Sequence, residues 1–66
     1  MNLVLNGDAQ RFPDLRTIAD LVVHLELDPR KVAVERNLEI VPRSAYQTTV
    51  IADGDRIEIV HFIGGG

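Results

Sequence analysis

The chain has 66 residues, 45% of them hydrophobic, no cysteine and a formal net charge of −3. A domain of this size buries only roughly 60% of the surface that its unfolded chain exposes, so apolar packing must hold it without disulfides or zinc–thiolate sites. The acidic balance and scattered basic residues argue against nucleic acid as a partner, and no apolar stretch reaches the roughly 18 residues of a membrane span. We therefore expect a cytoplasmic protein.

A hairpin is predicted at the start of the chain. The apolar run 1–5 ends at Asn6-Gly7, a pair that readily takes the positive φ angles of a hairpin turn. Residues 9–12 return as a second strand, which Pro13 stops.

One helix follows the hairpin. Thr17, with Asp20 three residues later, predicts a capping box at its start, and the helix is expected to run to about Leu25 before Asp28-Pro29 breaks it. Its apolar residues recur at i, i+3, i+4 and i+7 and should face a sheet: Ile18, Leu21, Val22 and Leu25.

The second half of the chain predicts three more strands. Residues 31–36 are rich in valine, Asn37-Leu38 forms a turn, and the short strand 39–41 should lie at a sheet edge because Pro42 cannot donate to a ladder. Val50-Ile51 is expected to be buried, and residues 56–63 form the last strand after a tight turn at 53–55.

The order β-β-α-β-β-β predicts an α+β fold of the β-grasp, ubiquitin-like kind: a mixed sheet of four to five strands covered on one face by one helix. The first and last strands are continuous in apolar residues, so both should lie centrally in the sheet and parallel to each other. We expect a folded domain over residues 1–63 and a flexible glycine tail over residues 64–66.

The glycine tail is the clearest functional signal. Gly64, Gly65 and Gly66 follow a strand directly, with no side chain to shield the carboxylate of Gly66 or to clash in a narrow cleft. Three extended residues reach about 10 Å, enough to enter an active site while the folded body stays outside. We interpret Gly66 as the reactive end and Gly64 and Gly65 as partner-binding residues.

Strand alternation suggests a docking surface beside this tail. Ile57, Ile59 and Ile63 should face the helix, which leaves Val60 and Phe62 on the outer face. Two readings are open: a bulge could tuck Phe62 into the core, or the two side chains could form an exposed apolar patch. We favour the patch, because a partner would bind beside the tail.

Other polar residues predict less. His24 and His61 lack an evident carboxylate partner, so neither a metal site nor an acid–base pair is expected. Asp53, Asp55 and Glu58 read as a solvated turn, with an acidic docking patch as the weaker alternative.

The chain resembles the thiamin-biosynthesis sulfur carrier (ThiS) family over essentially its whole length. The most specific part of this resemblance is the C-terminal segment, and Asn37-Leu38 departs from the Asn-Gly that is frequent in the family, so a different turn type is expected there. The matching segments are residues 1–6, Val32-Ala33-Val34-Glu35, Ile40-Val41-Pro42-Arg43, residues 53–60 and Phe62-Ile63-Gly64-Gly65-Gly66.

The resemblance implies a carrier rather than an enzyme. An adenylating, E1-like enzyme would join the carboxylate of Gly66 to AMP using ATP, and a persulfide-derived sulfur, supplied for example through a cysteine desulfurase, would displace AMP to leave a thiocarboxylate. Thiazole synthase would then take the sulfur for the thiazole half of thiamin. The chain itself would bind no cofactor and would be a monomer when free.

Two alternatives remain at this point. The small subunit of molybdopterin synthase uses the same mechanism in another pathway, but it is usually longer and often has a proline-containing run before its terminal Gly-Gly, where this chain has Phe62-Ile63. A ubiquitin-like tag or interaction module would instead form an amide with lysine, or react with nothing.

Overall fold

A computed structural model describes residues 1–62 of the chain. The five strands of this part are β1 (Asn2–Leu5), β2 (Asp8–Arg11), β3 (Val32–Arg36), β4 (Glu39–Val41) and β5 (Arg56–His61). The helix α1 spans Ile18–His24, and short 3-10 turns lie at Pro29–Lys31 and Arg43–Ala45. The predicted boundary between residues 63 and 64 lies outside the described residues.

The strands form one mixed sheet in the order β2-β1-β5-β3-β4. The first and last strands pair in parallel and occupy inner positions, as predicted, while β5 pairs antiparallel with β3 and β3 antiparallel with β4. Strand β4 is an edge strand, in line with the restriction that Pro42 imposes. The predicted β-grasp arrangement is confirmed.

The helix begins where the capping box placed it. The Thr17 side chain accepts a hydrogen bond from the Asp20 N–H, and the Asp20 side chain accepts one from the Thr17 N–H. It ends at His24 with Leu25 as its C-cap, as predicted, and before the break at Asp28-Pro29. Glu26 takes a left-handed conformation at φ 58°, and the Leu27 N–H bonds back to the Val22 carbonyl, which closes the last turn.

The core lies between α1 and one face of the sheet. The helix contributes the predicted stripe, although Leu25 at its end is only partly buried, and β5 contributes alternate residues. The buried apolar residues are Leu3, Leu5, Phe12, Ile18, Leu21, Val22, Val32, Val34, Val41, Tyr46, Ile51, Ile57 and Ile59.

Two local expectations were wrong. Val50 is 63% exposed rather than buried, because this segment meets the rest of the fold through a single bridge from Val50 to Thr17 and only Ile51 points inward. Asn37-Leu38 is not a different kind of turn. Both residues have positive φ, at 52° and 71°, as do Asn6 and Gly7 in the first hairpin, so both hairpins turn in the same way.

Candidate functional site

The candidate site lies where β5 leaves the sheet. This strand lies between β1 and β3, so the end of the described chain extends from a central strand of the sheet. On the β3 side, pairing continues to the end of the described chain, where the Phe62 N–H donates to the Lys31 carbonyl at 2.8 Å. Gly64, Gly65 and Gly66 lie outside the described residues.

The outer face of the sheet carries an apolar patch beside this exit. Val60 is 61% exposed and Phe62 is 56% exposed, so the alternative in which Phe62 is tucked into the core is wrong. Val60 pairs across the ladder with the exposed Ala33 of β3, and Phe62 lines an open groove together with Ala33 and Ile40. We call Ala33, Ile40, Val60 and Phe62 the outer-face patch.

Two members of this patch are not evident from the sequence. Ile40 is 78% exposed, yet Glu39-Ile40-Val41 alone does not reveal which of the two apolar residues faces outward. The register decides it: Val41 pairs with the buried Val34, and Ile40 pairs with Glu35 on the other face. Ala33 belongs to the patch only because it lies opposite Val60.

Acidic residues frame the patch rather than fill it. Glu35 of β3 lies between Ile40 of β4 and Glu58 of β5 in the same row across the sheet. Glu58 is exposed, and Glu35 is half-buried. A partner that covers the patch would therefore meet an apolar centre next to two carboxylates, and basic side chains would complement them.

Asp55 is not part of a solvated turn, contrary to expectation. It is buried, with its Oδ2 accepting from Arg36 Nε at 2.7 Å and from the Ala52 N–H at 2.8 Å, while its Oδ1 accepts from Asn37 Nδ2 at 3.1 Å. Burial raises the pKa of Asp55, but the hydrogen bonds from Ala52, Asn37 and Arg36 outweigh that effect and the pKa is lowered. This carboxylate therefore stabilises the fold, and because it is buried it cannot contribute to an acidic docking patch.

The two histidines lie far apart in the chain, one at the end of α1 and one at the end of β5. Both are exposed, and His24 packs its ring edge-on against Phe12, with ring centroids 5.8 Å apart. Among residues 1–62, no group of three or more metal-ligating side chains lies together. No helix in that part of the chain is long and apolar enough to cross a membrane.

The family of the chain is settled by its sequence. The model of the ThiS family matches residues 3–66. The chain belongs to the ThiS family. Among its relatives, the sulfur carrier protein ThiS of Bacillus subtilis is 46% identical over 65 residues, which cover 97% of this chain and 98% of that protein.

Two further relatives are longer proteins. The thiazole synthase of Paramagnetospirillum magneticum is 54% identical over 66 residues, and that of Magnetococcus marinus is 44% identical over 66 residues. In both cases the whole of this chain is matched, but it spans only 20% of the longer protein.

A solved structure supports the same fold. The crystal structure of the thiamine biosynthesis protein ThiS from Geobacter metallireducens superimposes with a TM-score of 0.84 at 33% identity, covering 100% of both chains. The five strands and the helix described above are therefore the fold of this family.

Proposed function

We propose that this chain is a sulfur carrier protein of thiamin biosynthesis, with the carboxylate of Gly66 as the group that holds the sulfur. The observation that carries the proposal is the near full-length similarity to the Bacillus subtilis sulfur carrier. The fold shared with the thiamine biosynthesis protein of Geobacter metallireducens supports the same pathway and gives no support to molybdopterin synthesis.

The chemistry of the chain agrees with this role. Without cysteine, the sequence has no thiol on which sulfur could be held, so the end carboxylate is the group available for a covalent bond to it. A free carboxylate is a poor electrophile. Joining it to AMP with release of pyrophosphate supplies a leaving group. The terminal sulfur of a persulfide can then displace AMP to form an acyl disulfide, and a thiol reductant cleaves the S–S bond, which leaves the thiocarboxylate on the chain and takes the other sulfur into a disulfide.

The chain acts in this scheme as a protein substrate. We assign activation to an adenylating enzyme that binds ATP, and sulfur supply to a donor such as a cysteine desulfurase. Because ATP and persulfide donors are required, we place the reaction in the cytoplasm. We also propose that the free carrier is a monomer.

We propose that the adenylating enzyme binds the outer-face patch. Val60 and Phe62 present apolar surface on the strand that leads into the tail, and Ala33 and Ile40 extend that surface sideways. Binding there would hold the folded body while Gly64 and Gly65 enter the active site and bond through their main chains. Ordering these residues costs about 1–2 kcal/mol each, which contacts with the patch help to offset.

Thiazole synthase is the proposed acceptor of the sulfur. Two relatives of that name contain a stretch similar to the whole of this chain within a much longer polypeptide. Joining a carrier to its acceptor in one chain raises their effective concentration, and this is useful only where the two must meet.

Mass spectrometry tests the proposal. The chain is incubated with its cognate adenylating enzyme, ATP, a persulfide donor and a thiol reductant, in parallel with a variant that lacks Gly66. We expect one oxygen of the full chain to be replaced by sulfur, with fragmentation placing the change on Gly66, and no such product from the shortened chain. Sulfur on another residue would contradict the carrier role. A stable amide to a lysine of another protein, without thiocarboxylate, would favour the ubiquitin-like tag.

A further inference from the structure

Two asparagine side chains hold β5, one near each end. At its beginning, Asn37 Oδ1 accepts a hydrogen bond from the Arg56 N–H at 2.9 Å. Near its end, Asn6 Oδ1 accepts from the Ile59 N–H at 2.8 Å, and Asn6 Nδ2 donates to the Ile59 carbonyl at 3.3 Å. Each asparagine occupies the first position of a two-residue hairpin turn with positive φ.

The Asn6 amide replaces a piece of β1 that is missing. Strand β1 ends at Leu5, and the last main-chain bond from this side is that of the Asn6 N–H to the Ile57 carbonyl at 2.9 Å. The chain then turns away at Asn6-Gly7. The side-chain amide of Asn6 continues the ladder, because it offers Ile59 both an acceptor and a donor, as the main chain of a longer β1 would.

Beyond this amide, the strand is held on one side only. Within residues 1–62, the Asn6 bonds to Ile59 are the last that β5 makes toward β1, whereas toward β3 its bonding continues to Phe62. The direction of Val60 to Phe62, which in the described part of the chain are bonded on the β3 side alone, therefore depends on how firmly Ile59 is fixed.

We propose that Asn6 is a positioning residue for delivery of the chain end. Its amide fixes the direction of the last described residues of β5, including Val60 and Phe62 of the outer-face patch. The inference rests on the proposed function, since the direction of the strand matters only if the chain end must reach a partner's active site. Loss of the amide leaves Ile59 free to twist about the β3 ladder, and fewer encounters place the carboxylate correctly.

A matched pair of variants separates positioning from stability. Asn6→Gly keeps the positive φ and removes the amide, and Asn37→Gly makes the same change at the opposite end of β5. Asn37 also donates to the buried Asp55, so its variant should lose at least as much stability. Asn6→Asp serves as the conservative variant, because it keeps the acceptor for the Ile59 N–H and loses the donor for its carbonyl.

The test measures kcat/KM for thiocarboxylation by the cognate adenylating enzyme at a temperature where every variant is fully folded. Residual dipolar couplings of the Phe62 N–H in the free proteins report the direction of the strand end. We expect Asn6→Gly to lower kcat/KM about three- to tenfold and to reduce the Phe62 couplings, with Asn6→Asp in between. Asn37→Gly should match the unchanged protein in both readouts.

The outcomes distinguish the inference from the function. Equal losses of kcat/KM in the two glycine variants, or an unchanged kcat/KM in Asn6→Gly, would overturn the positioning role while leaving the carrier function intact. If the unchanged protein accepts no sulfur, the proposed function fails, and the couplings then decide: an unchanged Phe62 direction in Asn6→Gly overturns the inference.

Discussion

The two ends of β5 differ in their burial and in their hydrogen bonding. Its beginning is locked: Arg56 is held by Asn37, and the preceding Asp55 is buried under hydrogen bonds from Arg36, Asn37 and Ala52. Its end presents exposed Val60 and Phe62 and has a strand neighbour on one side. One strand thus joins a polar, internally hydrogen-bonded anchor to an exposed apolar surface. The hydrogen-bonded beginning of β5 therefore stabilises the fold, whereas its exposed apolar end is accessible to another protein.

The largest expected effect is at the anchor. Asp55→Ala leaves the Arg36 guanidinium and the Asn37 amide without their acceptor, so we expect a loss of about 3 kcal/mol in the free energy of unfolding. Urea denaturation measures it. Asp53→Ala in the same turn is the control and should cost less, because the Asp53 bond to the Asn2 N–H is exposed. Equal losses of free energy of unfolding in the two variants would contradict the claim that buried Asp55 stabilises the fold more than exposed Asp53.

A charge on the outer-face patch should separate binding from stability. Phe62→Asp is expected to weaken binding to the adenylating enzyme about tenfold while changing the free energy of unfolding by less than about 0.5 kcal/mol. Calorimetric titration and urea denaturation measure the two quantities. Val23→Asp places the same charge at an exposed valine on the helix side, and it should leave binding unchanged. A large loss of stability in Phe62→Asp would mean that Phe62 belongs to the core.

The smallest expected effect is in the turn next to the anchor. Leu38 has φ 71° and is 79% exposed, so its side chain incurs the cost of a left-handed conformation without being buried. Leu38→Gly should therefore raise the free energy of unfolding by about 0.5–1 kcal/mol, with binding unchanged. In contrast, Glu39→Gly, one residue later in β4, should lower it. A fall in stability for Leu38→Gly would show that the Leu38 side chain stabilises the turn.

The fold was predictable from the sequence because its signals are local. The capping box of Thr17 and Asp20 and the strand boundary at Pro42 each lie within a few residues, and the structure confirms both. The burial of Asp55 was not predictable, because its partners Arg36 and Asn37 are 19 and 18 residues away. In a sequence, an aspartate beside Gly54 reads as an exposed turn residue.

The site was predictable in part for the same reason. Alternation along β5 placed Val60 and Phe62 on the outer face, where the structure has them. Alternation within one strand does not show which residues of the adjacent strands lie beside it. Ala33 and Ile40 could therefore be assigned to the patch only from the pairing of β3 with β5 and β4. The same holds for Asn6, whose side chain reaches Ile59, 53 residues later.

The central claim is that a partner binds the end of β5 on the outer face of the sheet. The most direct measurement is an NMR titration of the isotopically labelled chain with its cognate adenylating enzyme. We predict that the amide signals of Ala33, Val60 and Phe62 shift or broaden first, while those of Asp55 and of Val23 on the helix stay in place. Changes centred on Val23 and Gln47, which line a groove beside the helix, with none on the outer-face patch, would contradict the account.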